Sequence, residues 1–532
     1  MAKVKFPGTL LSVLAITLVI LWSYRCLAAV HTTRLSSDHA VHILMAYDLR
    51  LPEDLYFWGQ ARVGSVLPIL SHLLIRVSGL APVLAISLVQ YALLLVGYVC
   101  FASLLKRWLS RIILALAWFL PLVSFQMMVS IGHPYGVQFA FVGIAIVVID
   151  WLFNHSGQMP PLRLHLMVAI AVASLFVGLW VSELTLATLF TVAVVAVLEK
   201  RDSFPPFSQP PRLRQVAQLP SVVWTIAGVS LLGYALIRTA KAYAGPQDSL
   251  YQLNSPAEIG DTLSRMGVAF FRTLTFQVSQ GNFFLAIHAL LVLGLVGYLL
   301  VRFWQRQLFL VGLSRWCPIF LVNGLLSLVA IILSDWAYRN GTPLRYFVVV
   351  YISFWFAILL LVEAVRAKSK KSAPFLQAQG LGGFLLVVAI VSALTLRTPI
   401  LTGQFPPSKI QTLQPLNDLA PAGFIGEYWN SYILCAAAPD RLHCTPFDNQ
   451  GRSPCPAPGV PARPFGGVRC QRCAQAVMAS DSIYLVKNKW FEFFPPNIEQ
   501  FGQCLVKVGV PREIAGYTVA PYKRSYTLPS RP

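Results

Sequence analysis

Apolar runs of membrane-crossing length recur from residue 10 to about residue 397, with short polar stretches between them. About 20 helical residues cross a bilayer. Lipid offers the backbone no hydrogen-bond partner, so each run must close its own ladder as a helix. Spans are predicted near 10–30, 83–105, 112–130, 137–153, 164–181, 184–198, 219–238, 283–303, 316–334, 346–365 and 382–397. The run 64–79 (GSVLPILSHLLIRVSG) is short and interrupted by Pro68, His72 and Arg76. It reads as a twelfth span, a re-entrant piece or an interfacial helix. From residue 398 the pattern changes to turn-rich TGQFPPSK, a helix-like stretch at 423–437, a Pro/Gly/Arg loop at 451–467 and a strand-like stretch at 481–494. No repeat of fixed period stands out. The expected fold is an all-α polytopic membrane domain of about 11–12 transmembrane helices over 1–397. A C-terminal extracytoplasmic α/β domain over 398–532 is expected on its outer face; that length suffices for a small domain.

Composition agrees: 56% of residues are hydrophobic and 12% charged, against about 25% charged in soluble domains. Charge placement orients the chain, because Lys and Arg of short loops stay cytoplasmic. Lys3/Lys5, Lys106/Arg107/Arg111, Lys200/Arg201/Arg212/Arg214, Arg302/Arg306/Arg315 and Arg366/Lys368/Lys370/Lys371 fall on one side if 64–79 leaves the parity unchanged. The amino terminus is then cytoplasmic, with loop 31–62 and the tail outside an inner or plasma membrane. Read as a cleaved signal peptide, the first run still leaves Asp38 outside. The net charge of +21 is thus topological and marks no nucleic-acid partner. Six of nine cysteines lie in the tail, at 435, 444, 455, 470, 473 and 504. They allow up to three disulfides outside the reducing cytoplasm. The zinc alternative, Cys470-Gln-Arg-Cys473 with Cys444 and His443, lacks a second CxxC pair.

Candidate chemistry concentrates in residues 31–62, HTTRLSSDHAVHILMAYDLRLPEDLYFWGQAR. Asp38, Asp48, Glu53 and Asp54 are four of the chain's 21 acidic residues. Asp38, just past the first span, suits a base that accepts a proton from a hydroxyl or amine near lipid headgroups. It equally suits a helix N-cap region with Ser36 or Ser37. Glu53 and Asp54 are candidates for a second carboxylate. Glu183 is the one acid within the apolar stretch 164–198, at an expected outward hairpin turn, and is a functional candidate by depth. His39, His42 and His133 fit phosphate contacts or metal ligands. No fourth ligand is evident, so no metal is assigned. Tyr135 shares the outward turn GHPYG with His133. Arg62, Arg339 and Arg345, with Tyr338 and Tyr346, are outward cations that run against the charge rule and imply an anion, a lipid or substrate phosphate. Nucleophile-elbow, Walker and dinucleotide glycine patterns are missing, which argues against a soluble nucleotide-handling enzyme.

One anchor span, a first outer loop opening on an acid, many further spans and an outward tail resemble the GT-C superfamily, membrane glycosyltransferases that use polyprenyl-phosphate-linked sugars. DHAVHILMAYDLRLPEDLYFWGQARVGSVLPIL resembles the first loop of bacterial members, among them the protein mannosyltransferase and aminoarabinose transferase families. Arg345-Tyr346 resembles a late-span motif that faces the lipid phosphate. The resemblance implies an inverting hexosyl- or pentosyl-transferase with Asp38 as base. A polyprenyl-phosphate-sugar donor, membrane lipid and an extracytoplasmic acceptor would be its partners. The family's paired acids are replaced here by Asp38-His39, so a divalent cation stays open and no cofactor is assigned. Two rival readings are a transporter or flippase of a lipid-linked saccharide and a non-enzymatic membrane assembly protein.

Overall fold

The computed structural model describes residues 6–155, 159–199, 221–244, 252–277, 283–305, 314–368, 374–396, 405–448, 454–462, 469–487 and 493–529. Its membrane part contains, in order, α1 (Phe6–Leu27), α2 (Ser37–Tyr47), α3 (Val66–Ser78), α4 (Pro82–Ser103), α5 (Trp108–Phe119), α6 (Tyr135–His155), α7 (Pro161–Val181), α8 (Thr185–Glu199), α9 (Ser221–Ala242), α10 (Pro256–Leu274), α11 (Phe283–Trp304), α12 (Trp316–Leu333), α13 (Asp335–Arg339), α14 (Val348–Lys368) and α15 (Pro374–Leu394). Among the described residues, eight helices are long and apolar enough to cross a membrane: α1, α4, α6, α7, α9, α11, α12 and α14. With the shorter apolar helices α5, α8 and α15 they account for the eleven expected segments.

One expectation needs correction, and one open segment takes a definite form. The segment 112–130 is not one helix: α5 stops at Phe119, and Val123–Met128 is a 3-10 turn. Pro121 explains the break, since proline donates no N–H and pushes the preceding residue out of the helical region; Leu120 sits at φ −126°, ψ 58°. The interrupted run 64–79 forms α3, which has 13 residues and ends on left-handed Gly79. It packs on α2 and α4.

The interior is aromatic. Phe101 packs against Trp118, Phe139, Phe320 and Phe356 with ring centroids 5.0–5.9 Å apart. Asn323 ties α8, α12 and α14 together, accepting from Thr188 (3.0 Å) and donating to Ser353 (2.9 Å), the polar cross-links favoured between helices in lipid. The span ends sort into two faces. On one, the Glu363 carboxylate accepts from the backbone of Lys106 and Arg107 at 2.8 and 2.9 Å, and Trp316 donates to Asp150 at 2.7 Å. The other carries loop 31–62, the turn before α6, residues 334–346 and the tail.

The tail adds helices α16 (Lys409–Leu413), α17 (Tyr428–Cys435) and α18 (Gln471–Ala479) to strands β1 (Ala422–Gly426), β2 (Leu442–Pro446), β3 (Ile483–Val486), β4 (Asn497–Gln500), β5 (Gln503–Lys507), β6 (Arg512–Ile514) and β7 (Tyr517–Thr527). The sheet runs β2-β1-β3-β7-β5-β4, with β6 on β7. Strands β1, β2 and β3 pair in parallel and the rest antiparallel. The stretch 423–437, expected as one helix, divides into β1 and α17 at extended Glu427. Disulfides join Cys435–Cys444, Cys455–Cys504 and Cys470–Cys473. The tail does not hang free. Val41, Ile43 and Met45 of α2 and Phe57 and Trp58 of the first loop share one core with Phe424, Tyr432 and Leu434.

Candidate functional site

Where α1 gives way to the first loop, a cavity of about 420 Å³ opens. Arg25 of α1 lines it, with Arg34, Asp38 and His39 of the first loop and His133 from the turn before α6. Arg345 from the 3-10 turn Leu344–Phe347 lines it too, and the tail contributes Phe405, Pro406 and Trp429. Asp38 and Arg345, far apart in sequence, thus face one space.

Local structure holds Asp38 there. Helix α2 begins after Ser36, whose extended backbone makes it the N-cap, so Asp38 lies in the first turn and is not itself the cap. His39 reaches back to accept from the Ser36 N–H through Nδ1 at 3.2 Å. With Nδ1 an acceptor, Nε2 carries the proton and donates to Ser130 Oγ at 2.5 Å. That bond joins the first loop to the turn before α6. Gly132 lets that turn approach closely, because a Cβ there would meet His39 N at 3.2 Å and Asp38 Cβ at 3.3 Å. From the tail, the Tyr428 hydroxyl donates to Asp38 Oδ1 at 2.5 Å, and the Arg469 guanidinium sits 4.2 Å over the Tyr428 ring.

Burial sets the charges. It pushes the His39 imidazole down to about 4, reinforced by His133 and opposed by Asp38. His133 is pushed down to about 3 by burial and then by Arg345 and Arg62. His42, buried against Phe57, also falls to about 3, from burial first and the other two histidines second. All three rings are neutral near pH 7, so arginines supply the positive potential. Burial lowers the Arg62 guanidinium, with Tyr346 the largest opposing influence, yet an arginine stays charged. The Tyr428 phenol is raised by burial and then by the Asp38 carboxylate, so it keeps its proton and donates. No described group of three or more His, Cys, Asp or Glu residues is placed to hold a metal ion.

The sequence candidates divide. Asp38, His39, His133 and Arg345 line the cavity. Tyr135 stacks on His133 at 6.1 Å, Tyr346 lies under Arg345 at 5.4 Å, and Arg62 lies over Trp336 at 3.7 Å, within electrostatic reach of His133. The others lie outside the cavity and have neighbours of their own. Asp54 is buried, accepting from Arg472 (2.5 Å), Trp58 (2.8 Å) and the Arg50 N–H (2.8 Å). Glu53 is exposed at the edge of that cluster, 3.9 Å from Arg472. Glu183 pairs with Lys241 at 2.7 Å, and Arg339 with Asp335 at 2.8 Å. Sequence reasoning missed Tyr428, Arg469 and Arg472. They act on residues about 400 positions away, and no local pattern marks them.

Fold and cavity together define a polytopic membrane protein whose tail domain closes over a cavity at the span ends. No protein-family model and no curated protein matches the chain. Among solved structures, apo ArnT from Cupriavidus metallidurans is similar with a TM-score of 0.52 at 11% identity, over 96% of this chain and 98% of that one. ArnT bound to undecaprenyl phosphate, from the same organism, scores 0.49 at 10% identity over 96% and 97%. The apo oligosaccharyltransferase of Archaeoglobus fulgidus scores 0.47 at 11% identity, over 83% of this chain and 64% of that one. The first likeness, near full length on both chains, establishes that the spans and the tail share the ArnT fold.

Proposed function

We propose that this chain is an integral-membrane glycosyltransferase that moves a sugar from a polyprenyl-phosphate donor to an acceptor at the face bearing loop 31–62 and the tail. The observation that carries the reading is the meeting of a carboxylate, Asp38, with a guanidinium, Arg345, in one cavity at the span ends. The acceptor hydroxyl or amine attacks the anomeric carbon as its proton passes to Asp38. The sugar–phosphate C–O bond breaks, and the electron pair leaves on the polyprenyl phosphate. That phosphate is already a good leaving group, so cations matter more than a strong acid. Arg345 receives the developing charge, with Arg62 and Arg25 supporting the potential. A single carboxylate beside an in-line displacement gives inversion, by analogy with inverting glycosidases. The lipid chain extends into the bilayer beside α1, which exposes Leu18 and Leu21.

The cavity face is extracytoplasmic in this reading. Its support is the basic loop Lys106–Arg107, whose backbone Glu363 holds on the opposite face, and three disulfides in the tail. Purified protein in liposomes should release free polyprenyl phosphate from a polyprenyl-phosphate sugar when an acceptor extract is added. Asp38→Asn should cut that release by about 10²–10⁴-fold. Full activity in the variant would remove Asp38 from the mechanism.

A further inference from the structure

The tail does more than cover the cavity. Tyr428 stands at the first position of α17, its hydroxyl 2.5 Å from Asp38 Oδ1, the length of a hydrogen bond to a charged oxygen. Its ring is held from three directions: edge-on to Trp429 at 5.0 Å, edge-on to Tyr432 at 6.0 Å, and under Arg469 at 4.2 Å. Tyr432 is fully buried and packs 5.7 Å from Trp58, whose indole donates to Asp54, the carboxylate gripped by Arg472. A continuous set of rings therefore runs from the docking contact between tail and first loop to the Asp38 carboxylate. Arg469 is itself wedged against the loop. A Cβ on Gly59, which adopts φ +70°, would lie 2.6 Å from Arg469 Cγ.

We propose that Tyr428 is a positioning residue for the transfer reaction, fixing one oxygen of Asp38 so that the other takes the acceptor's proton, and that the tail thereby completes the site. The inference rests on Asp38 being the base. A carboxylate with no fixed donor rotates about its terminal bond, and small misplacements are costly in proton transfer. A hydrogen bond to the ionised form also makes the carboxylate less basic. A tyrosine that merely glued the tail down would affect stability and leave the pH profile of turnover alone.

Tyr428→Phe keeps the ring and its stack under Arg469 while removing the donor. The full-length variant, assayed with the polyprenyl-phosphate sugar in liposomes, should lose about 10- to 100-fold in kcat. Its donor KM should stay within about twofold, and the acid limb of its kcat/KM profile should rise by about one pH unit. Replacing Tyr428 with 3,5-difluorotyrosine, a stronger donor of nearly the same size, should move the limb the other way and retain turnover. Asp38→Asn separates the two ideas. If it is inactive while Tyr428→Phe keeps the wild-type kcat and pH limb, the positioning role is overturned and the base role stands. If Asp38→Asn is fully active, both fall. Should Tyr428→Phe not fold, an unshifted limb in the difluorotyrosine protein overturns the positioning role alone.

Discussion

Individual charged residues show where a sequence is informative and where it misleads. Asp38 and Arg345, which line one cavity, stand out in the sequence because each breaks a rule of its neighbourhood: an acid beside the first anchor and an arginine where the charge rule expects few. Glu183 and Arg339 carry the same signals, yet each has an ordinary partner, Lys241 and Asp335. A charge isolated in sequence is not isolated in space, and only the folded chain tells the two cases apart. Arg345 retains a further mark of function. Its Nε is buried with no hydrogen-bond partner among the described residues, a donor poised for an anion, since leaving such a group unsatisfied costs free energy. Arg345→Gln is therefore expected to lower kcat/KM for the lipid donor by about 10²-fold or more. Lysine at 345 should restore only part, lacking the planar fork that grips a phosphate. Steady-state kinetics over a donor titration decide this; an unchanged kcat/KM would place the phosphate elsewhere.

Between elements, the decisive contact is the one that the acidic loop makes with α18. Glu53 and Asp54 were candidates for a second carboxylate, and no local pattern distinguishes that role from docking. Arg472 ties this loop to the tail: it reaches Asp54 at 2.5 Å, the Asp48 carbonyl at 2.8 Å and the Asp48 carboxylate at 3.6 Å. Asp54 is 2% exposed, so removing it takes away the nearest carboxylate of Arg472 and orphans the Trp58 indole N–H. Asp54→Ala should cost about 1–3 kcal/mol of tail docking, seen as faster hydrogen exchange in α2 and α17 and easier proteolytic release of the tail. The fraction that remains docked should turn over normally, which separates this role from chemistry. A fall in kcat per docked molecule comparable with that of Asp38→Asn would return Asp54 to the catalytic group.

Across the whole molecule, the membrane part was the more legible half because its signal is one-dimensional: run length and hydropathy place a helix before anything is known of its neighbours. The departures came where another rule overrode hydropathy, as Pro121 did in ending α5. The tail was harder. An apolar stretch such as 423–437 does not announce that Glu427 turns it from strand to helix, nor that its rings pack into a loop near the other end of the chain. That packing has a consequence for stability. His39 and His42 are buried, and His133 partly so, where α2, the turn before α6 and the first loop meet, with folded-state values of about 4, 3 and 3, against an ordinary value of about 6.5 in the unfolded chain. As pH falls through 6.5 the unfolded chain binds protons that the folded one refuses, so stability drops with acidification until the folded values are reached. Above pH 6.5 these residues contribute no slope. The midpoint of thermal unfolding in detergent should therefore be level from about pH 8 to 7 and decline from about 6.5 toward 4.5. Carboxylates titrate in the lower part of that window, and His42→Phe distinguishes their share. The His42 ring packs 5.0 Å from Phe57 and none of its nitrogens has a described hydrogen-bond partner, so phenylalanine should be tolerated at neutral pH while making the decline shallower. An identical decline in His42→Phe would mean that the ring is not shielded from protonation in the folded protein.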